Sequence, residues 1–255
     1  MRVAVVSSDL LTSTKRAVIA GLHGRLIGIA TVPIVPRQVG MWRHLRSLAV
    51  YAGPRGWPRL ALDSLGGRLA RTFGPVIRPG WAWTLGGLAR SVGVSFLRTS
   101  GTDDPALARW LSELKPDLIV SLQSHRVPQK LLAIPDRGWL NLHHGRLPDY
   151  RGVFSVFWAM SHREPLLYVT AHLMSAEIDR GPVVIERAVS VEAGATVADM
   201  EARMWTASPE IILEAVCRIE SGAPLSEIVR EGDRYFTYPT RADLRRATSS
   251  GLRLR

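Results

Sequence analysis

Apolar and polar positions alternate along the chain between two periods. Val3 to Val6 is a short unbroken apolar run that meets Ser7-Ser8-Asp9 at once, as expected of a strand buried on both faces. A helical stretch from Thr12 to Leu22 and a second apolar run from Ile27 to Val32 follow. Further on, Pro105 to Leu114 reads as a helix with proline in its first turn. It feeds the apolar strand Leu118 to Leu122 and then, after the turn signal Asp136-Arg137-Gly138, the strand Trp139 to Leu142. Gly152 precedes a helical pattern at Val153, Val156, Phe157 and Met160. Tyr168 to Met174 and Pro182 to Val189 read as two more strands, and Val197 to Ile219 as an amphipathic helix that closes the domain. Strands alternating with helices at this spacing predict βαβ units, hence an α/β fold with a mostly parallel sheet flanked by helices.

Two segments depart from that rhythm. Between Val35 and Trp83, apolar residues recur at helical spacing at Trp42, Leu45, Leu48, Ala49 and Ala52, and again at Leu62, Leu65, Leu69, Ala70 and Phe73. Eight arginines lie from Arg37 to Arg78. This predicts a basic insertion of two short amphipathic helices broken at Gly53-Pro54. Its apolar faces either pack on the domain, the default for such a pattern, or meet an anionic membrane surface, bind an acidic partner or cover the acceptor pocket. At the other end, Tyr235 to Arg241 alternates aromatic and polar residues, as a short terminal strand or a pocket-lining segment would. From Arg245 onward the sequence reads as disordered and dispensable. The expected organisation is a catalytic domain over 1–222 and a short extension over 223–255.

Composition sets outer bounds. The 255 residues and a hydrophobic fraction of 46% are ample for one α/β core. No apolar run approaches the ~20 residues of a membrane helix, and the first strand is too short for a signal-peptide core. Cys217 is the only cysteine, which leaves no intrachain disulfide and no cysteine metal cluster. Together these predict a cytoplasmic protein without a metal. The net charge of +11 rests on arginine, with Lys15, Lys115 and Lys130 the only lysines. Such a balance suits nucleic acid but equally follows from a coding bias, so charge alone selects no partner.

Candidate chemistry is concentrated in NLHHGRLPDYRG, from Asn141 to Gly152, and EIDRGPVVIE, from Glu177 to Glu186. Asn141 and His143 are two apart, so they leave the strand end on one side, where ligands collect in open α/β sheets. Pro148 stiffens the loop after them. Taken singly these residues are unremarkable: asparagine is common at turns, paired histidines are mostly surface residues, and Asp179 before Arg180-Gly181 is an ordinary turn start.

Their order carries the meaning. Asn-x-His, then Leu-Pro-x-Tyr-Arg-Gly, then Trp158 in the next helix, then Val-Thr-x-His from Val169 to His172, then Ile-Asp-x-Gly from Ile178 to Gly181, resembles the folate-dependent formyltransferases. The resemblance is close from about Asp117 to Val191 and absent from about Val35 to Trp83. It implies a Rossmann-like formyltransferase fold and transfer of a formyl group from 10-formyltetrahydrofolate to an amine. Carried over by position, the catalytic residues are Asn141, His143 and Asp179. An amine attacking a formyl carbonyl creates an oxyanion that needs fixed donors; Asn141 and His143 can supply them, and Asp179 is expected to orient the imidazole and take part in proton transfer. The resemblance further implies donor contacts at Leu122, Leu142, Ile178 and Gly181, and a supporting or acceptor-side role for His144, Gly145, Tyr150, Arg151 and His172.

The chain also departs from the family. His144-Gly145 replaces the proline or alanine followed by serine of many members, which alters the wall beside His143. Ser7-Ser8-Asp9-Leu10-Leu11 lacks the glycine-rich phosphate loop of members that formylate glycinamide ribonucleotide. After the last helix too little chain remains for the RNA domain of the enzyme acting on methionyl-tRNA, so nucleic acid is not the expected partner. The expected acceptor is a small-molecule amine, an amino sugar or an amine of a specialised metabolite. Alternatives are hydrolysis of 10-formyltetrahydrofolate, a methionyl-tRNA formyltransferase-like enzyme without the RNA domain, and a non-catalytic protein binding membranes or RNA through its insertion.

Overall fold

The computed structural model describes residues 1–34, 84–226 and 234–254. The expected basic helical insertion at Val35 to Trp83 lies outside the described residues.

Seven strands form one sheet in the order β3-β2-β1-β4-β5-β7-β8. These are β1 (Val3–Ser8), β2 (Leu26–Val32), β3 (Ser95–Arg98), β4 (Leu118–Leu122), β5 (Trp139–His143), β7 (Leu166–Leu173) and β8 (Val183–Ser190). The first five are parallel, and β7 and β8 join antiparallel. The expected mostly parallel sheet is therefore present. Helices cover it: α1 (Ser13–Gly21), α2 (Leu85–Ser91), α3 (Pro105–Leu114), α4 (Gln129–Leu132), α5 (Ser155–Ser161) and α6 (Val197–Glu220). A two-stranded parallel ribbon pairs β6 (Arg151–Gly152) with β9 (Tyr235–Phe236), and α7 (Arg241–Ser249) ends the chain.

Strand parity divides the core. Val3, Val5, Ile29, Leu118, Val120 and Leu140 pack on one face of the sheet, against α1, α5 and α6. Ala4, Val6, Ala30, Ile119 and Trp139 pack on the other, against α3. Because side chains alternate, Asn141 and His143 share the face of Trp139, whereas Leu122 and Leu142 pack into the opposite cluster.

Local chemistry fixes the helix ends. Asp104 caps α3 by accepting from Ala106 N–H, with proline in its first turn, and Lys115 closes it in a left-handed conformation. Thr196 and Asp199 form a reciprocal capping box on α6. Pro209 lies inside that helix and removes one helical donor; the Trp205 carbonyl, four residues earlier, accepts instead from the Thr14 hydroxyl of α1 at 3.2 Å.

Two findings differ from the sequence expectation. Strand β3 and helix α2 lack a clear signature, since β3 is largely exposed at the sheet edge and α2 contains Gly86 and Gly87. The second is the chain end. Instead of disorder from Arg245, α7 forms with a Thr240–Asp243 capping box and buries Leu244 and Ala247. The carbonyls of Arg253 and Leu254 then accept from Val197 and Ala198 N–H, at 2.9 and 3.2 Å. Polar composition hid this arrangement, because a helix this short forms through its docked face rather than through propensity.

Candidate functional site

Register places the candidate residues. Asn141 lies opposite Ser121 on β4 and opposite His172 on β7, so Asn141 and His172 are cross-strand neighbours. Asn141 Nδ2 stands 3.2 Å from His172 Nε2. The other ring nitrogen of His172, Nδ1, donates to the Leu173 carbonyl at 3.0 Å. That bond leaves Nε2 of the neutral ring as an acceptor, so the Asn141 amide donates to it. Burial keeps His172 uncharged, pushing its pKa down to about 4 despite the Asp179 carboxylate beside it. Asn141 is thereby fixed with one amide N–H committed to His172.

The loop between β7 and β8 brings in Asp179. Its carboxylate lies between two imidazoles, Oδ1 3.6 Å from His172 Nε2 and Oδ2 3.8 Å from His143 Nδ1. It is largely buried, and Oδ2 accepts from Gly152 N–H at 2.8 Å. Asp179 has a φ of +54°, a conformation that costs a non-glycine residue energy unless its surroundings hold it. Those surroundings include Arg151, whose Nε and Nη2 both donate to the Ile178 carbonyl at 2.9 and 2.7 Å. Gly181 allows the loop to close on β7: a Cβ there would lie 1.8 Å from the Leu173 carbonyl oxygen.

His143 is oriented differently from expectation. Nε2–H donates to the Tyr150 carbonyl at 2.6 Å, and the separation from Asp179 exceeds a hydrogen bond. The Tyr150 backbone, not Asp179, therefore sets the ring, with Nδ1 turned toward the carboxylate. Gly145 makes room for this contact, since a Cβ there would fall 2.8 Å from His143 Nε2 and 2.9 Å from the Tyr150 carbonyl. Any side chain at position 145 would have to displace this contact.

The other expected site residues divide. His172 and Arg151 belong to the constellation. His144 turns away to α6, where Nε2–H donates to Ser208 Oγ at 3.0 Å, because that hydroxyl itself donates to the Met204 carbonyl. Trp205 packs edge-on against its ring, and burial, helped by neighbouring His143, pushes its pKa down to about 3. Tyr150 directs its hydroxyl to Glu164 at 2.7 Å and stacks on Phe236; burial raises its pKa above the usual phenol range. Its contribution to the site is its carbonyl. Leu122 and Leu142 place their side chains on the opposite face, so only their backbones adjoin Asn141. Ile178 is 42% exposed next to Asp179 and offers apolar surface there. A cavity of about 210 Å³ lined by Gly145, Arg146, Asp149, Glu164 and Tyr168, among others, lies along the same loop, and neither Asn141 nor Asp179 lines it. Among the described residues no group of three or more His, Cys, Asp or Glu is placed to hold a metal, and no helix is long and apolar enough to cross a membrane.

The roles of Gly152 N–H, the Tyr150 carbonyl and β9 are absent from the motif reading. Their only sequence signal was the aromatic alternation after Tyr235, since backbone groups leave no residue-type signature.

The chain is similar to several known proteins. A family model described as formyl transferase matches residues 86–216, just over half of the chain. Similar curated proteins include the methionyl-tRNA formyltransferase of Caldanaerobacter subterraneus subsp. tengcongensis, 26% identical over 59% of this chain and 49% of its own length. That of Thermosynechococcus vestitus is 32% identical over 53% of this chain and 40% of its own. The chain spans about half the length of the curated relatives it matches. Among solved structures, glycinamide ribonucleotide transformylase 1 from Symbiobacterium toebii superimposes with a TM-score of 0.60 at 22% identity, covering 92% of each chain. The N-formyltransferase from Helicobacter canadensis, in complex with folinic acid and dTDP-3-aminofucose, gives 0.59 at 15% identity over 92% of this chain and 70% of that one.

Proposed function

The chain belongs to the formyl transferase family, and on that premise we propose that it transfers a formyl group from 10-formyltetrahydrofolate to the primary amine of a small molecule, an amino sugar or an amine of a specialised metabolite. The observation that carries this reading is the single constellation of Asn141 and His143 on β5, His172 on β7 and Asp179 on the loop that follows β7.

The donor set fits a formyl-folate. One amide N–H of Asn141 is tied to His172, which leaves the second to meet a formyl oxygen as negative charge develops on it. His143 turns Nδ1 toward the Asp179 carboxylate; because Nε2–H already donates to the Tyr150 carbonyl, Nδ1 becomes a second donor only in the imidazolium form. Asp179, its Oδ2 held by Gly152 N–H, takes the proton that the attacking amine loses as its nitrogen bonds the formyl carbon, and the departing folate nitrogen gains a proton as its own bond to that carbon breaks. The neutral state of His172 serves both: as an acceptor it aligns Asn141, and it adds no positive charge that would compete for the carboxylate. Bound, the donor supplies the activated formyl group; Ile178 and the backbones of Leu122, Leu142 and Gly181 are the residues that would hold it.

The β1–α1 turn bears on the acceptor. Asp9 N–H donates to the Val32 carbonyl and Leu10 N–H to the Ser8 carbonyl. Lys15 Nζ donates to the Ser8 carbonyl and hydroxyl at 2.8 and 2.7 Å; burial pushes its pKa down to about 8 against the raising effect of Asp9. These backbone donors are already used, which supports an acceptor other than glycinamide ribonucleotide. A solved neighbour complexed with dTDP-3-aminofucose supports an amino sugar. A second reading, formylation of methionyl-tRNA, is favoured by the curated relatives and the charge of +11.

Mass spectrometry of the protein incubated with a cell metabolite extract, with and without 10-formyltetrahydrofolate, tests the reading. A small-molecule product one formyl group heavier is expected, reduced about 10²- to 10³-fold in rate by Asn141→Ala and lost in His143→Ala. Formylation of added methionyl-tRNA alone would select the second reading. Donor consumed without a formylated product would mean hydrolysis, and full turnover in both Asn141→Ala and Asp179→Ala would overturn the mechanism.

A further inference from the structure

Asp179 is held by elements far from it in sequence, and those elements belong to the ribbon made with the chain's carboxyl-terminal segment. Arg151 N–H donates to the Arg234 carbonyl and Val153 N–H to the Phe236 carbonyl, both at 3.1 Å, which brackets Gly152 in β6. Gly152 has a φ of +95°, and a Cβ there would lie 2.1 Å from the Phe236 carbonyl oxygen. The ribbon therefore fixes the direction of Gly152 N–H, and that N–H meets Asp179 Oδ2. From the same strand, the Arg151 guanidinium reaches the carbonyl immediately before Asp179 through two N–H groups. Its outer side lies over the Tyr235 ring, 5.8 Å from the centroid. Phe236 is anchored in turn between Tyr150 and Trp158, with ring centroids 5.4 and 5.1 Å away, and Trp158 Nε1–H donates to the Thr237 carbonyl at 3.0 Å.

We propose that β9 is a working part of the site and that Arg151 is a positioning residue for Asp179. The ribbon presents one donor to the carboxylate and one cation to the loop that carries it, so the carboxylate's place is set by residues 151–152 and 234–236. This rests on the formyl-transfer reading for its consequence, but not for its geometry. A donor to a backbone carbonyl that bears charge makes a stronger hydrogen bond than a neutral one, and two such bonds from a rigid guanidinium fix direction as well as distance. Displacement of a reacting group by about 1 Å costs on the order of 10²-fold in rate. Loss of Arg151 therefore acts on kcat rather than on donor binding.

The test uses the full chain labelled with 15N-glycine, as wild type, Arg151→Lys, Arg151→Gln and Tyr235→Ala. An amide donating to a carboxylate moves downfield as that carboxylate ionises, so the Gly152 amide proton reports the Asp179 contact without any turnover. In the wild type a titrating Gly152 resonance is expected. In Arg151→Gln the excursion should shrink by about half or more, with kcat lower by about 10- to 100-fold and the KM for 10-formyltetrahydrofolate within about threefold. Arg151→Lys should recover part of both, and Tyr235→Ala, at a residue 52% exposed, should shift both in the same direction by less. An unchanged Gly152 titration in a folded Arg151→Gln protein overturns the proposal whatever the activity. A Gly152 titration that responds as described in a protein that transfers no formyl group overturns the functional reading and leaves the positioning intact.

Discussion

Replacing Leu244 by alanine tests whether the carboxyl-terminal helix belongs to the core. Leu244 is 7% exposed in α7 and packs into the cluster that includes Tyr150, Val197 and Met200. Removing a buried leucine side chain costs about 2–5 kcal/mol, depending on how far the site collapses. Leu244 lies at the margin of the cluster, where relaxation is easier, so the low end applies, about 2–3 kcal/mol. For a domain of this size each kcal/mol lowers Tm by about 2–4 °C, which gives a fall of about 4–12 °C. Thermal unfolding followed by circular dichroism on wild type and Leu244→Ala measures it. Arg245→Ala is the control: Arg245 is exposed on the same helix, and surface changes of this kind stay within about 0.5 kcal/mol. Truncation after Thr240 should cost more than Leu244→Ala, since it also removes Ala247 and the carbonyls that accept from Val197 and Ala198 at the start of α6. A Tm lowered by less than about 2 °C in Leu244→Ala, or equal in the truncated and full chains, would refute the docking argument and restore the expectation that this end is dispensable.

Two further outcomes follow from buried groups. Gly181→Ala places a Cβ 1.8 Å from the Leu173 carbonyl oxygen, so the loop must move off β7 and take Asp179 with it; by the same assay Tm should fall, and by mass spectrometry transfer should drop on the order of 10²-fold, whereas wild-type turnover would show that the loop tolerates the shift. His144 and His172 have pKa values pushed down by burial to about 3 and about 4, so the unfolded chain binds more protons than the folded one below the free histidine value near ~6.5. Stability should be flat above that value and fall as pH drops toward 4, by up to about 1.4 kcal/mol per pH unit for each ring; urea unfolding between pH 7 and 4.5 should give a shallower acid slope for His144→Gln, and parallel slopes would refute the assignment.

The sequence by itself determined the sheet and the chemical types at its end. Apolar runs of strand length and a helical segment opening at Pro105 are local patterns, so β1, β2, β4, β5 and α3 were legible with bounds close to those observed. The ordered motifs from Asn141 to Gly181, Asn-x-His through Leu-Pro-x-Tyr-Arg-Gly, Trp158 and Val-Thr-x-His to Ile-Asp-x-Gly, pointed to the family because five short patterns seldom fall in one order by chance. What only the tertiary structure decided is how those residues are held. His172 became the partner of Asn141 through the antiparallel register of β5 and β7, a relation between strands that no single stretch encodes. The Tyr150 carbonyl rather than Asp179 orients His143, and Gly152 N–H holds Asp179; every residue but proline carries such a donor and every residue such an acceptor, so neither can be read from residue identity. The chain end looked disordered because its composition is polar, yet a few apolar positions, Leu244 and Ala247 foremost, suffice once a complementary face exists to bury them. Burial depends on what the rest of the chain has already assembled, and that is settled in three dimensions.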